Sequence, residues 1–304
     1  MPATRPITRR DFNDAVLGLA VTTLPGSAAL AARAMAAAFV DCHTHTFVRG
    51  LPTAHDARYV PDYDASPDRL MSLAASNGIG RVVIQQPSFL GFDNSYLFDA
   101  LRARPRQLRG VPWVEPQVSA RQWDEMGRLG VAGLRFPIFG LSTPDWREYR
   151  DVFIEARRRR WVLDLYVESR RLPEILPTFL DTGANVAVPH LGMFDAKLGP
   201  KDDPGFRVLV ESARTRRVYV KLSAPYRTSF EGAREAAEML LDSFGPQYLV
   251  WGSDWPHTNT AQDRVTTYGK SLQWLAEWVP DVKQRRSILI DTPTRLYHFD
   301  QIRA

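Results

Sequence analysis

Two histidines one residue apart, His43 and His45, close a short apolar run that begins at Phe39. On a β-strand, side chains two apart share a face, so both imidazoles would leave the same side of one strand end. Buried ring nitrogens need partners, which makes such a pair poor core filling. In isolation a His-x-His is also what a solvated strand edge produces by chance, so the remainder of the chain has to decide. A third histidine, His190, follows Val186-Ala187-Val188-Pro189, and Asp254 follows Trp251-Gly252-Ser253. Three imidazoles and a carboxylate admit two chemistries. They can hold a divalent ion such as zinc, whose bound water ionises near neutrality. Alternatively, with no metal, the carboxylate acts as general base on water while imidazoles and arginines stabilise the oxyanion formed at a carbonyl. Cationic neighbours favour the ionised aspartate and limit its basicity. That second route suits an activated substrate such as a strained or conjugated lactone.

These residues are scattered over more than two hundred positions, so the elements between them must bring them together. From Phe39 onward, β-branched and aromatic runs alternate with helical patterns. The strand candidates are Phe39–His43, Arg81–Gln86, Arg109–Val114, Val131–Phe136, Trp161–Val167, Asn185–His190, Arg217–Leu222 and Tyr248–Ser253. Several are almost unbroken apolar runs, as strands covered on both faces are. Helix starts are marked by Ser66-Pro67, Ser119, Thr143-Pro144-Asp145 (a helix expected to reach Arg160) and Asp203-Pro204. Gly78, Gly130 and Gly183 fall where helices should end in a left-handed residue. Further helices are expected around Leu272–Val279 and Val282–Ile290. Eight strands, each followed by a helix or long loop, predict a single-domain α/β fold, the (β/α)8 TIM barrel. A doubly wound open sheet would carry a glycine-rich turn after its first strand, and here that position reads His-Thr-His-Thr.

A barrel of this kind keeps its chemistry at the C-terminal ends of the strands. Those ends carry a polar series: His43 and His45, Gln86 and Ser88, Glu115, Arg135, Tyr166 and Glu168, His190, Lys221 and Ser223 with Arg227 beyond, and Asp254. The balance of 39 Lys+Arg against 34 Asp+Glu gives +5, compatible with a small anionic substrate. The Arg157–Arg160 run falls at a helix C-terminus without interleaved aromatics, which speaks against nucleic acid as a partner. With one cysteine, Cys42, no intrachain disulfide is possible. Strict alternation puts Cys42 on the strand face opposite His43, as a small buried hydrophobe. At the N-terminus, Thr8-Arg9-Arg10-Asp11-Phe12, a soft apolar stretch from Ala15 to Leu24 and Ala-x-Ala sites are ordered like a twin-arginine export signal over residues 1–36. That predicts a periplasmic protein, with a cytoplasmic one as the alternative, and a 37–304 catalytic barrel; the stretch is too short for a stable membrane span.

Asp41-Cys42-His43-Thr44-His45, paired with Trp251-Gly252-Ser253-Asp254-Trp255-Pro256-His257, resembles the amidohydrolase-related branch of the amidohydrolase superfamily, and within it the group around 2-pyrone-4,6-dicarboxylate lactonase. The resemblance covers the chain after residue 38. It implies Asp254 as the base that activates water, with His43, His45 and His190 polarising a lactone carbonyl. It implies Arg135 and Arg227 as holders of substrate carboxylates, with Tyr59, Ser88 and Tyr166 as hydrogen-bond partners. Metal-dependent members have a histidine ligand on strand five where this chain has Tyr166, a replacement shared with the metal-free lactonase group, so no cofactor is expected and zinc is the alternative. A second arginine of that group is absent, since the region after strand four reads Phe136-Pro137-Ile138-Phe139-Gly140-Leu141. Other outcomes of the resemblance are a metal-dependent hydrolase, decarboxylase or sugar-acid lactonase, a lactone isomerase, or a non-catalytic binder of organic acids.

Overall fold

The computed structural model describes residues 39–260 and 266–300. The segment read as an export signal, residues 1–36, lies outside the described residues. Eight strands are formed: β1 Val40–Thr44, β2 Arg81–Gln85, β3 Leu108–Val111, β4 Gly133–Pro137, β5 Val162–Tyr166, β6 Val186–Val188, β7 Val218–Leu222 and β8 Leu249–Trp251. Each is followed by a helix: α1 Pro67–Ser76, α2 Ser95–Ala103, α3 Ala120–Leu129, α4 Arg150–Arg158, α5 Leu172–Asp181, α6 Pro204–Glu211, α7 Phe230–Phe244 and α8 Tyr268–Trp278. All pairings between successive strands are parallel. A single bridge, Gly110 to Val131, joins the third strand to the fourth, and Thr44 to Trp255 joins the last to the first. The ring is closed, and the fold is the expected (β/α)8 barrel.

The helix signals act as their chemistry dictates. Ser66 accepts a hydrogen bond from the Arg69 amide at the start of α1, and Ser119 forms a reciprocal cap with Gln122 at the start of α3. Gly130 ends α3 at φ +100°, where a side chain would be strained. One helix starts later than the sequence suggests. Asp145 turns back to accept from the Arg147 amide and guanidinium, so Trp146–Tyr149 forms turns and α4 begins only at Arg150. No helix among the described residues is long and apolar enough to cross a membrane.

Two apolar clusters result. The larger lies between sheet and helices, for example Leu134, Leu163 and Val188 against Phe153, Phe179 and Leu176. The smaller fills the barrel interior near the strand N-termini. It takes Val40 and Cys42, then Val83, Val111, Ala132, Val162, Ala187, Tyr219 and Val250, and is closed by Leu296, Tyr297 and Phe299. Cys42 is there because the pairing of β1 with β2 slips between Asp41 and Thr44. The slip breaks the alternation, so Cys42 and the imidazole of His43 both face the barrel interior, contrary to the parity argument. Cys42 is nonetheless a buried small hydrophobe.

Candidate active site

Above the apolar floor sits a buried ion pair. Lys221 of β7 places Nζ 2.5 Å from Asp164 Oδ2 of β5, and both side chains are fully buried. The same ammonium donates to the Cys42 carbonyl at 3.2 Å and meets His43 Nδ1 at 3.2 Å.

One layer higher, three imidazoles converge on one oxygen. Asp254 Oδ1 lies 3.6 Å from His43 Nε2, 3.7 Å from His45 Nε2 and 3.9 Å from His190 Nε2. The backbone holds them there. The Asp254 amide donates to the His43 carbonyl, and the His45 amide to the Trp255 carbonyl, stitching the end of β8 to β1. Gly252 permits this approach, because a Cβ there would lie 2.6 Å from His43 Cβ. Asp41 Oδ1 accepts from the amides of His43 and Ser253 and ties the two strands again. Asp254 and His190 have φ of 59° and 56°, a strained setting for residues with a side chain and one concentrated at functional sites.

The other oxygen of Asp254 is occupied. Oδ2 accepts from Arg227 Nε at 2.7 Å and from the Tyr226 hydroxyl at 2.6 Å. Burial alone would raise this carboxyl, but the Arg227 guanidinium and the surrounding donors outweigh it and hold Asp254 well below the usual carboxylate range. Burial likewise lowers all three imidazoles, His45 to about 3. At neutral pH the cluster is an ionised aspartate among neutral histidines. His45 Nδ1 is 2.9 Å from the Gln85 carbonyl, to which it must donate, leaving Nε2 as an acceptor.

The expected binding residues are placed as follows. Arg135 is buried, donates to the Gln86 carbonyl, and lies with Cζ 5.8 Å from the Tyr166 ring. Tyr166 stands edge-on to His190 and stacks on Phe139 at 5.1 Å. Tyr59 bonds Thr258 Oγ1 at 3.1 Å, beside the carbonyl that receives Arg227 Nη2. Ser88 opens a short 3-10 turn after β2, half-buried. Arg227 differs from expectation: it is the counter-ion of Asp254, and only Nη1 remains without a partner among the described residues. Neither arginine pairs with Glu115 or Glu168. Glu168 bonds Arg171 and the Gly140 amide, and Glu115 lines a cleft with Phe92, Asn94 and Val118 that shares no residue with the histidine cluster. The sequence reading missed Tyr226, and it gave no role to His257 of the Trp251–His257 motif, whose ring packs edge-on against Tyr226. It also missed Asp164, although a charge inside the apolar run Val162-Leu163-Asp164-Leu165 is itself a signal of a buried partner. Among the described residues, His43, His45 and Asp254 present ligand atoms within 4.8 Å of one another and form a group that could hold a metal ion.

These shifts set the acid stability. His43, His45, His190 and His257 (the last lowered to about 4, burial leading) stay neutral in the fold near pH 5, whereas unfolded histidines are protonated below about 6.5. Asp41 runs the other way: burial raises it to about 6, so unfolding releases its proton at pH 5. Four taken up against one released leaves about three protons bound on unfolding. Stability should therefore rise with pH through this window. Denaturant unfolding between pH 4.5 and 6 measures it, and a flat curve contradicts the neutral-histidine cluster.

Comparison with known proteins gives the family. The sequence profile of the family described as amidohydrolase matches residues 40–299. A 2-pyrone-4,6-dicarboxylate hydrolase of Comamonas testosteroni is 28% identical over 283 residues, covering 86% of this chain and 91% of its own. A 4-sulfomuconolactone hydrolase of Hydrogenophaga intermedia is 27% identical over 268 residues, covering 84% and 88%. A solved structure from Pseudomonas putida, described as a 2-pyrone-4,6-dicarboxylic acid hydrolase, is similar with a TM-score of 0.80 at 33% identity, over 87% of this chain and 99% of that one.

Proposed function

The chain belongs to the amidohydrolase family, and on that premise we propose that it is a hydrolase opening a small, anionic, carboxylated lactone, with Asp254 as general base and without a metal ion. The observation that carries this reading is the convergence of three imidazole nitrogens on Asp254 Oδ1, while Oδ2 is anchored by Arg227 and Tyr226. A carboxylate clamped by one oxygen presents the other in a fixed direction, as a positioned base requires. The relatives' names support the substrate class: both are hydrolases of cyclic esters, one with carboxylates and one with a sulfonate.

In this mechanism Asp254 Oδ1 takes a proton from water, and the water oxygen attacks the lactone carbonyl carbon. Negative charge moves to the carbonyl oxygen, where the imidazole N–H of His43 and the Arg135 guanidinium stabilise it. The ring C–O bond then breaks, and Asp254 returns the proton to the leaving oxygen, so one water is consumed overall. The low basicity of Asp254 fits an ester whose leaving group is an enolate or similarly stabilised oxygen. Arg135, Arg227 Nη1 and the Tyr166 hydroxyl would receive one carboxylate. In the region after β4 that lacks the second arginine of the lactonase group, Phe139 carries the exposed Arg58 over its ring at 5.7 Å, a cation placed to meet a second acidic group.

A divalent ion fits the donor set poorly. It would share the pocket with the guanidiniums of Arg227 and Arg135, and strand five offers Tyr166 in place of a fourth imidazole. The test is an assay of lactone opening after exhaustive chelation, with pyrone dicarboxylate, sulfonated and sugar-acid lactones as substrates. Undiminished turnover of one of them is expected. Activity that disappears on chelation and returns with zinc or manganese would refute the metal-free reading.

A further inference from the structure

We propose that Lys221 is a positioning residue that fixes His43 as a hydrogen-bond donor at Nε2 and thereby keeps a divalent cation from binding at the paired histidines; this deepens, and rests on, the metal-free hydrolytic reading. The ammonium has three protons and no lone pair, so every neighbour it contacts must act as an acceptor. Its neighbours are Asp164 Oδ2 at 2.5 Å, the Cys42 carbonyl at 3.2 Å and His43 Nδ1 at 3.2 Å, all inside a fully buried layer. The Tyr297 ring closes the space beneath, 5.9 Å from Nζ. With Nδ1 accepting, a neutral His43 carries its proton on Nε2, the atom that faces Asp254 Oδ1 at 3.6 Å. A metal ion needs the Nε2 lone pair, and an imidazole cannot accept at both nitrogens without losing its last proton.

The neighbouring histidine is set the opposite way. His45 Nδ1 donates to the Gln85 carbonyl at 2.9 Å, so its Nε2 offers a lone pair. The two imidazoles thus present one donor and one acceptor to the same space. That pairing can orient a water by one of its protons and stabilise a developing oxyanion by an N–H, whereas a cation needs two lone pairs. Metal-ligating histidines normally donate their second nitrogen to a carboxylate or carbonyl, and Lys221 puts a donor where that acceptor should be.

Two measurements decide the matter. In histidine-15N-labelled native protein, long-range proton–nitrogen correlations should report the Nε2–H form for His43 and the Nδ1–H form for His45, with assignment by loss of signals in a His43→Asn sample. A His43 ring protonated at Nδ1 overturns the proposal. The second measurement uses the double variant Lys221→Gln/Asp164→Asn, which removes the ion pair as a unit and offers His43 Nδ1 an amide oxygen. After chelation and dialysis, Co2+ titration followed by visible absorption should show binding tightened by about 10- to 100-fold over wild type. Equal affinities in the two proteins overturn it, as does stoichiometric Co2+ binding by wild type with His43 as a ligand. If the double variant does not fold, the tautomer measurement on native protein decides alone. Both readouts are independent of turnover, so a native protein with the assigned tautomers that opens no lactone would defeat the hydrolytic reading and leave this one standing.

Discussion

Asp254→Asn should lower kcat for lactone opening by about a thousandfold or more, with little change in folding. The amide keeps the shape of the carboxylate and can still accept from Arg227 and Tyr226 through one oxygen. It cannot take a proton from water, and the atom facing the three imidazoles at 3.6 to 3.9 Å ceases to be a base. Circular dichroism and thermal unfolding would separate a chemical defect from a collapsed site. A loss of about tenfold or less, in a folded variant, would assign the base elsewhere.

Arg227→Met should produce the second-largest effect, about a hundredfold loss at neutral pH, and a change of kind in the pH profile. In the native protein Asp254 is ionised throughout the working range because Arg227 and its neighbours outweigh burial. Removing the guanidinium leaves burial dominant, so the carboxyl pKa must rise. The acid limb of kcat/KM, which reports the free enzyme, should then move upward into the range above pH 4. If Arg227 served only to hold a substrate carboxylate, KM would rise and the limb would stay where it was. The two outcomes separate a counter-ion from a binding residue, and the 2.7 Å contact with Oδ2 favours the first.

Much of this site was legible from residue order alone, for a physical reason. Parallel strands closed in a ring bring every C-terminal end to one face, so His43, His45, His190 and Asp254 could be brought together without coordinates. What alternation cannot reveal is a slipped register, and the irregularity between Asp41 and Thr44 put Cys42 on the wrong face. Pairing across the ring was also hidden. Lys221 was visible as a polar strand end, but its partner Asp164 sits mid-strand, two strands away in sequence and 2.5 Å away in space. Tyr226 lies in a short 3-10 turn after β7, where no periodicity marks a side chain's direction. The late start of α4 has the same origin: Asp145 can cap a helix or close a local turn on Arg147, and only the surrounding packing selects the turn.

The tail of the chain has a bearing on chemistry that happens at the opposite rim. Leu296, Tyr297 and Phe299 stopper the barrel from below, with Phe299 resting against the guanidiniums of Arg81 and Arg109, and with the His298 carbonyl held by Arg109. Trimming the polypeptide past these residues would thin the apolar cover beneath the Lys221–Asp164 pair to the strand side chains alone, although nothing at the substrate entrance had been touched. Carboxypeptidase digestion or a short C-terminal deletion is thus a remote handle on the polarity beneath the histidine–aspartate layer, acting from the far end of the molecule.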